Sequence, residues 1–284
     1  MTKEQQQQKN AGQPELSEQE LEEVEWRSAP RTEVVYEAVR EEGEGELKRS
    51  SATLAWDGLA AGLSMGFSLV AEGLLRSHLP DAEWRPLVAK LGYPIGFLII
   101  VLGRQQLFTE NTLTAVLPFL QRPYLSTLAQ VLRLWGVVFL ANVVGALLFA
   151  LVIARTELFD AHVRETFMDI GREAFVGWWP LTFLKGVFAG WLIALMVWML
   201  PASESARFFV VVAMTYLVAL GKFAHIIAGS VDTLYVVWSG GAGPLDYLAW
   251  MLPTLLGNIV GGTALVAALG HAQVAGEARR KGSS

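Results

Sequence analysis

Beyond residue 50 the chain is a succession of apolar runs, each long enough to cross a bilayer. A helix needs about 20 apolar residues to span a hydrocarbon core about 30 Å thick. Residues 54–75, 91–120, 128–153, 176–200, 207–237 and 247–269 meet that length, so six membrane spans are expected. Spans two and five are too long and carry polar interruptions, GRQQLFTENT at 103–112 and GKFAHIIAGSVDT at 221–233. A continuous helix facing lipid does not tolerate such stretches. A broken helix does, where its non-helical part is enclosed by protein or lines a cavity.

Composition agrees with a membrane protein: 53% of the residues are hydrophobic and 17% charged, against about a quarter charged in soluble domains. The first 50 residues hold 7 Lys/Arg against 13 Asp/Glu, which leaves 15 against 14 for the rest. The acidity therefore belongs to an N-terminal arm, and there is no basic face for nucleic acid. The absence of cysteine excludes disulfides and thiolate metal sites, and four scattered histidines give no metal cluster, so neither metal nor cofactor is expected. The start, MTKEQQQQKN, is polar and does not resemble a cleavable signal. Residues 1–30 are Gln/Glu-rich and read as disordered or weakly helical, and Val34, Val35, Ala38 and Val39 predict an amphipathic helix from Arg31 to Arg49. The expected organisation is thus an acidic cytoplasmic arm (1–50), a six-helix membrane domain (51–271) and a short basic cytoplasmic tail (272–284).

The two interrupted spans are related. Span three contains Asn142 and Gly145, span six contains Asn258 and Gly261, and the offset is 116 residues. The same offset carries Thr109 onto His225. This implies an all-α fold of two three-helix repeats, inverted because three is odd, with broken second and fifth helices as in the aquaporin-like topology. Such repeats place a solute pathway near the bilayer midplane, and the broken helix ends offer N–H groups to an anion. Basic residues divide eight to six in favour of the side of both termini, which predicts cytoplasmic ends.

LFTENT (107–112), FAHIIAG (223–229), the twin Asn-Gly motifs and LAAGLSMGFSL (59–69) resemble the formate/nitrite transporter family, and most of all its YfdC-like branch. The likeness spans about residues 52–270. It implies a homopentamer in the inner membrane, with one pore per protomer for small monovalent anions such as formate and nitrite. It also implies that Leu107, Phe108 and Thr109 in the first break face His225 in the second, between apolar constrictions to which Tyr93, Ile193 and Val218 also contribute, with the histidine involved in proton exchange. Family members carry Glu before this histidine and Asn four residues after it, where this chain has Ala224 and Gly229.

The residues themselves carry part of that chemistry. An imidazole has an ordinary pKa of about 6.5 and can orient an anion or lend it a proton, while a bare anion crosses an apolar constriction only at great cost. His225, Thr109, Leu107, Phe108, Asn111, Lys185, Lys222 and Arg104 are the candidate pathway residues. Lys185, near the centre of span four, either adds positive potential or pairs with an acid such as Glu72. Arg104 and Lys222 either attract anions or bridge to Glu110 or Asp232. Asn142, Asn258 and Glu110 are expected to hold the breaks, with the asparagines capping loop carbonyls. Glycines 58, 62, 66 and 73 suit close helix approach between protomers, and Asp57, Glu72 and Asp246 read as ordinary span-end residues. No enzyme is expected: Ser230 follows His225 by five residues, but no Gly-x-Ser-Gly turn is present. Competing readings are a neutral-solute channel, from which the Asn-Pro-Ala pairs are missing, and a non-conducting sensor or scaffold that keeps the fold.

Overall fold

The structure, a computed structural model, describes residues 17, 19–20, 30–175 and 177–263. The expectations for most of residues 1–30, the end of span six and the basic tail lie outside the described residues. In the unit Met1–Arg31, Ser17 Oγ donates to Glu20 Oε2 (2.7 Å). A second unit starts at Thr32 and holds the helical body.

Helix α1 (Thr32–Lys48) is the amphipathic helix of the arm and buries Val35, Tyr36, Val39, Gly43 and Leu47. Gly43 is needed there, because a Cβ would lie 2.0 Å from the Thr114 carbonyl oxygen. Arg133 ties down the end of α1 by donating to the Leu47 (2.8 Å) and Arg49 (3.0 Å) carbonyls. A cation suits these orphan acceptors at a helix C-terminus. Ser50 starts the next helix, accepting from the Thr53 N–H (3.1 Å), a standard N-cap worth about 1 kcal/mol.

Helix α2 is Ser51–His78. Helix α3 runs Arg85–Leu102, with a 3-10 turn at Lys90–Gly92. After a non-helical stretch come the short α4 (Phe108–Thr114) and α5 (Val116–Gln121). Helix α6 is Leu125–Arg155, α7 Ala161–Ala174 and α8 Trp179–Met199. Helices α9 (Arg207–Leu220) and α10 (Ile226–Trp238) flank a second non-helical stretch, and α11 is Pro244–Val260. Among the described residues, four segments, comprising α2, α3, α6 and α8 with the turn after it, are long and apolar enough to cross a membrane by themselves.

The interruptions are shorter than their polar sequences suggest. Only residues 103–107 and 221–225 leave the helix, so Thr109–Thr112 and Ile226–Thr233 are helical. Their hydroxyls bond back to carbonyls one turn earlier: Thr112 to Thr109 (2.7 Å) and Thr233 to Gly229 (2.6 Å). Such local bonds let polar side chains sit inside a buried helix.

The glycines of α2 face inward, which corrects their expected role between protomers. A Cβ on Gly62 would lie 2.1 Å from the Asn142 carbonyl oxygen of α6, and Gly66 and Gly73 lie against the Phe149 and Phe167 rings. Helix α8 meets α11 in the same manner, Gly190 lying against the Asn258 backbone. Small residues thus bring each pair of helices into backbone contact, and each pair holds an asparagine.

Candidate functional site: two helix breaks between two vestibules

Each break ends one helix and starts another by the same local chemistry. At the first, Gly103, Arg104 and Gln105 donate to the Ile99, Val101 and Ile100 carbonyls. At the second, Gly221, Lys222 and Phe223 donate to Leu217, Ala219 and Val218. This is the bonding of a Schellman C-cap, whose turning residue is usually glycine. Here Arg104 and Lys222 occupy it, both at φ 50°.

The asparagines fasten the helix that begins after each break. Asn142 Oδ1 accepts from the Phe108 N–H (2.9 Å), and its Nδ2 donates to the Gly58 (2.7 Å) and Gln106 (2.9 Å) carbonyls. Asn258 repeats the set with the Ile226 N–H (2.8 Å) and the Gly186 (2.9 Å) and Ala224 (2.8 Å) carbonyls. They bond both an N–H and carbonyls, a wider role than capping carbonyls. These bonds also shift the correspondence between the halves. The asparagines are 116 residues apart, but the breaks differ by 118, so Leu107 is the counterpart of His225. Both occupy the N-cap position with nearly equal backbone angles, φ −102°, ψ 126° and φ −95°, ψ 124°.

Thr109 and His225 meet in space although they are not counterparts: Thr109 Oγ1 lies 2.8 Å from His225 Nε2. His225 Nδ1 accepts the Ala228 N–H (3.2 Å). A nitrogen that accepts carries no proton, so the neutral ring holds its hydrogen on Nε2 and donates it to Thr109. The Phe97 ring packs edge-on against the imidazole (centroids 4.9 Å apart). Thr109, Leu107, Phe97 and Ile193 are wholly buried and His225 is 1% exposed. The two breaks therefore close on each other. Three helix N–H groups expected to face an anion are already taken by Asn142, Asn258 and His225.

A vestibule lies on either side of this contact. Helix α2 gives Asp57 to one and Glu72 to the other, α3 gives Ile100 and Tyr93, and α8 gives Val197 and Lys185. The arm-side vestibule, of about 580 Å³, is walled partly by α1 and holds Arg104, Glu110 and Asn111. Arg104 makes no ion pair among the described residues, and Glu110 Oε1 is buried with no hydrogen-bond partner, so the expected bridge between them does not form. Asn111 bonds inward, its Nδ2 donating to Gln106 Oε1 (3.0 Å). Glu42, from α1, is open to the vestibule but ringed by protein. Thinned solvation pushes its carboxyl up, Glu46 adds to this, and Arg104 and Arg207 oppose it.

The far-side vestibule, of about 80 Å³, holds His225, Lys185 and Lys222, room for several waters or one small oxyanion. Lys222 bonds Glu173 (2.8 Å), not Glu110 or Asp232, and Arg76 bonds the same carboxylate (2.7 Å). Burial alone would raise Glu173, but hydrogen bonds from Lys222 and Arg76 outweigh it and hold the carboxyl below its ordinary value. Lys185 makes no ion pair among the described residues, because Glu72 is taken by Lys90. Gly92 permits that pairing by letting the 3-10 turn press on α2, where a Cβ would lie 2.2 Å from the Glu72 nitrogen. Glu72 is 2% exposed, so it is not an ordinary span-end residue.

Arg104 and Lys222, equivalent in the chain, thus open onto opposite vestibules. Phe108 lines neither and packs edge-on to Phe139 (5.2 Å) and Trp135 (6.1 Å) of α6. Sequence reasoning named Asp232 only as a bridge partner and missed its place in the lining of the far-side vestibule. The signal was present: it stands seven residues after His225, on the same helical face.

Two solved structures share this fold. One, described as an FNT family ion channel, is 19% identical, with a TM-score of 0.71 over 84% of this chain and 98% of that one. The other, a pentameric formate channel with formate bound, is 18% identical, with a TM-score of 0.64 over 77% and 95%. Inner membrane protein YfdC of Escherichia coli is 42% identical over 256 residues, 90% of this chain and 83% of that protein. The profile described as formate/nitrite transporter matches residues 33–272, and the chain belongs to that family.

Proposed function

We propose that this protein conducts small monovalent anions of weak acids, of the formate and nitrite kind, across the inner membrane, with passage rising in acid. The observation that carries this reading is the Thr109–His225 contact, which joins two helix breaks between two vestibules. The matched hydrogen bonds of Asn142 and Asn258 support six spans in an inverted 3+3 repeat, with the second and fifth helices broken. The family supports a homopentamer embedded in lipid, with a pathway in each protomer and the arm on the cytoplasmic side.

The charge of the vestibules bears on what passes. The far side holds three carboxyls and three amines, and the arm side four carboxyls and three guanidinium groups. Neither is a strongly positive funnel. The wholly buried contact between them favours a neutral acid over a bare anion, whose desolvation costs far more. Leu107, with Phe97 and Ile193, supplies the apolar constriction. Lys185, Lys222 and Arg104 hold the anion at the two mouths, and Asn111 lines the arm-side approach.

Formate-driven swelling of liposomes holding the purified protein, at pH 7 and pH 5, tests the reading. Fast swelling that is faster at pH 5 and abolished by His225→Phe is expected. Swelling no faster than that of empty liposomes at either pH would overturn it.

A further inference from the structure

Both ring nitrogens of His225 are engaged in holding the second break, Nδ1 with the Ala228 N–H and Nε2 with Thr109. A second proton on the ring would have to sit on Nδ1, facing another N–H, and would cost the α10 cap. The same wall of the cavity carries another acid–base group. Asp232 lies two turns further along α10, about 10 Å along the axis. Both residues line the far-side vestibule, and Gly229, between them, makes room for the Trp250 ring, which a Cβ there would meet at 2.5 Å. Among the described residues the Asp232 carboxyl has no ion pair and no hydrogen bond.

Two carboxylates and four cations surround it. Helix α2 presents Glu72, and the start of α3 presents Lys90, bound to Glu72, and Tyr93. Helix α7 presents Glu173, bound to Arg76 and Lys222, and α8 presents Lys185 across the cavity. Helices α6 and α11 add no charge to this wall: Arg155 lies over the Trp238 ring (5.8 Å), and Asp246 caps α11 by accepting the Gly243 N–H (2.7 Å). A carboxylate left without a partner at this depth is costly, whereas a carboxylic acid can donate its hydrogen to whatever anion occupies the cavity.

Building on the transport reading, we propose that Asp232 is the proton donor of the far-side vestibule. The Asp232 O–H bond breaks as an O–H bond forms on the weak-acid anion beside it. The neutral acid then moves past the Thr109–His225 contact. The Asp232 carboxylate, facing Lys90, takes a proton back from far-side water, so one proton crosses with each anion and Asp232 returns to its starting state. Lys185 holds the anion before the transfer.

Two measurements on the full chain in liposomes test this. Infrared difference spectra read the C=O stretch of a protonated carboxyl. Adding formate is expected to weaken that band in the wild type, and Asp232→Asn to remove the formate-sensitive part. Formate flux against far-side pH is the second. The wild type is expected to gain flux in acid, Asp232→Asn to lose that slope with about a hundredfold less flux, and Asp232→Glu to restore the slope.

A formate-sensitive band that survives Asp232→Asn, or Asp232→Asn flux with the wild-type slope, would overturn the proposal. So would a slope lost equally in Asp232→Glu, since that marks a structural role. Wild-type liposomes that pass no formate, yet lose the Asp232 band on adding it, would sink the transport reading and support proton transfer at this residue.

Discussion

At the residue scale, the two breaks rest on side chains placed where their backbone is unfavourable. Arg104 and Lys222 both sit at φ 50°, a region that costs a non-glycine residue about 1–2 kcal/mol. Glycine would serve the turn better, so the chain retains a cation at each site against its local stability. Strain of this kind is concentrated at functional sites. Arg104→Gly and Lys222→Gly should therefore each stabilise the fold by about 1 kcal/mol, raising the melting midpoint in detergent by a few degrees. Formate flux should fall in both, because each vestibule loses a cation. A lower midpoint in Arg104→Gly would show that its charge outweighs the strain. For Lys222→Gly the lost bond to Glu173 offsets part of the gain, so its rise should be the smaller.

At the element scale, α7 is the piece the sequence concealed. It is charged and amphipathic and falls outside the six expected spans, between two long apolar runs. It buries Val163, Phe167 and Ile170, and Glu173 at its end bonds both α2 and the second break. Glu173 is held below its ordinary value, so its contribution to docking is present above 4.5, the ordinary value, and is lost as pH falls through the lower folded one. Amide hydrogen exchange in α7 should accelerate below about pH 4.5 relative to α2 and α6. In Glu173→Gln it should already be faster at neutral pH and show no acid step. The side chains are a quarter to two-thirds exposed, so the effect should be modest; an acid step unchanged by Glu173→Gln would assign it to other groups. What was legible in the sequence was periodicity and length: the apolar runs, the interruptions and the amphipathic α1. The ends of the interruptions were not, because Thr109–Thr112 looks like a loop until its hydroxyls are seen to bond carbonyls. Glu72 read as a span-end residue for a related reason, since the Lys90 that pairs with it is brought in by a close approach at Gly92; Asp232 read only as a bridge partner for Arg104 or Lys222, a bond that neither makes.

At the scale of the whole molecule, internal packing and external surface are divided cleanly. The glycines that invite close helix approach are spent inside the protomer, so what remains outward is large and apolar: Phe67 on α2, Leu140 and Leu148 on α6, Phe188 on α8 and Phe209 on α9 are 41–69% exposed. Lipid can cover such surfaces, and so can another copy of the chain. Contact between copies then rests mainly on interdigitating Leu and Phe side chains, with Gly136 of α6 the small residue left open beside them. Dispersion across such a surface is weak per atom pair and large in sum. The particle in mild detergent should accordingly weigh about five times the 31.1 kDa of one chain by light scattering corrected for detergent, and should keep that mass on dilution. Replacing Phe188 and Leu184 with alanine, both on the outer face of α8, should shift the population towards single chains if α8 lies in the contact, without unfolding the protomer. A single-chain mass for the wild type would instead mean that lipid alone covers these faces, with both vestibules complete within one chain.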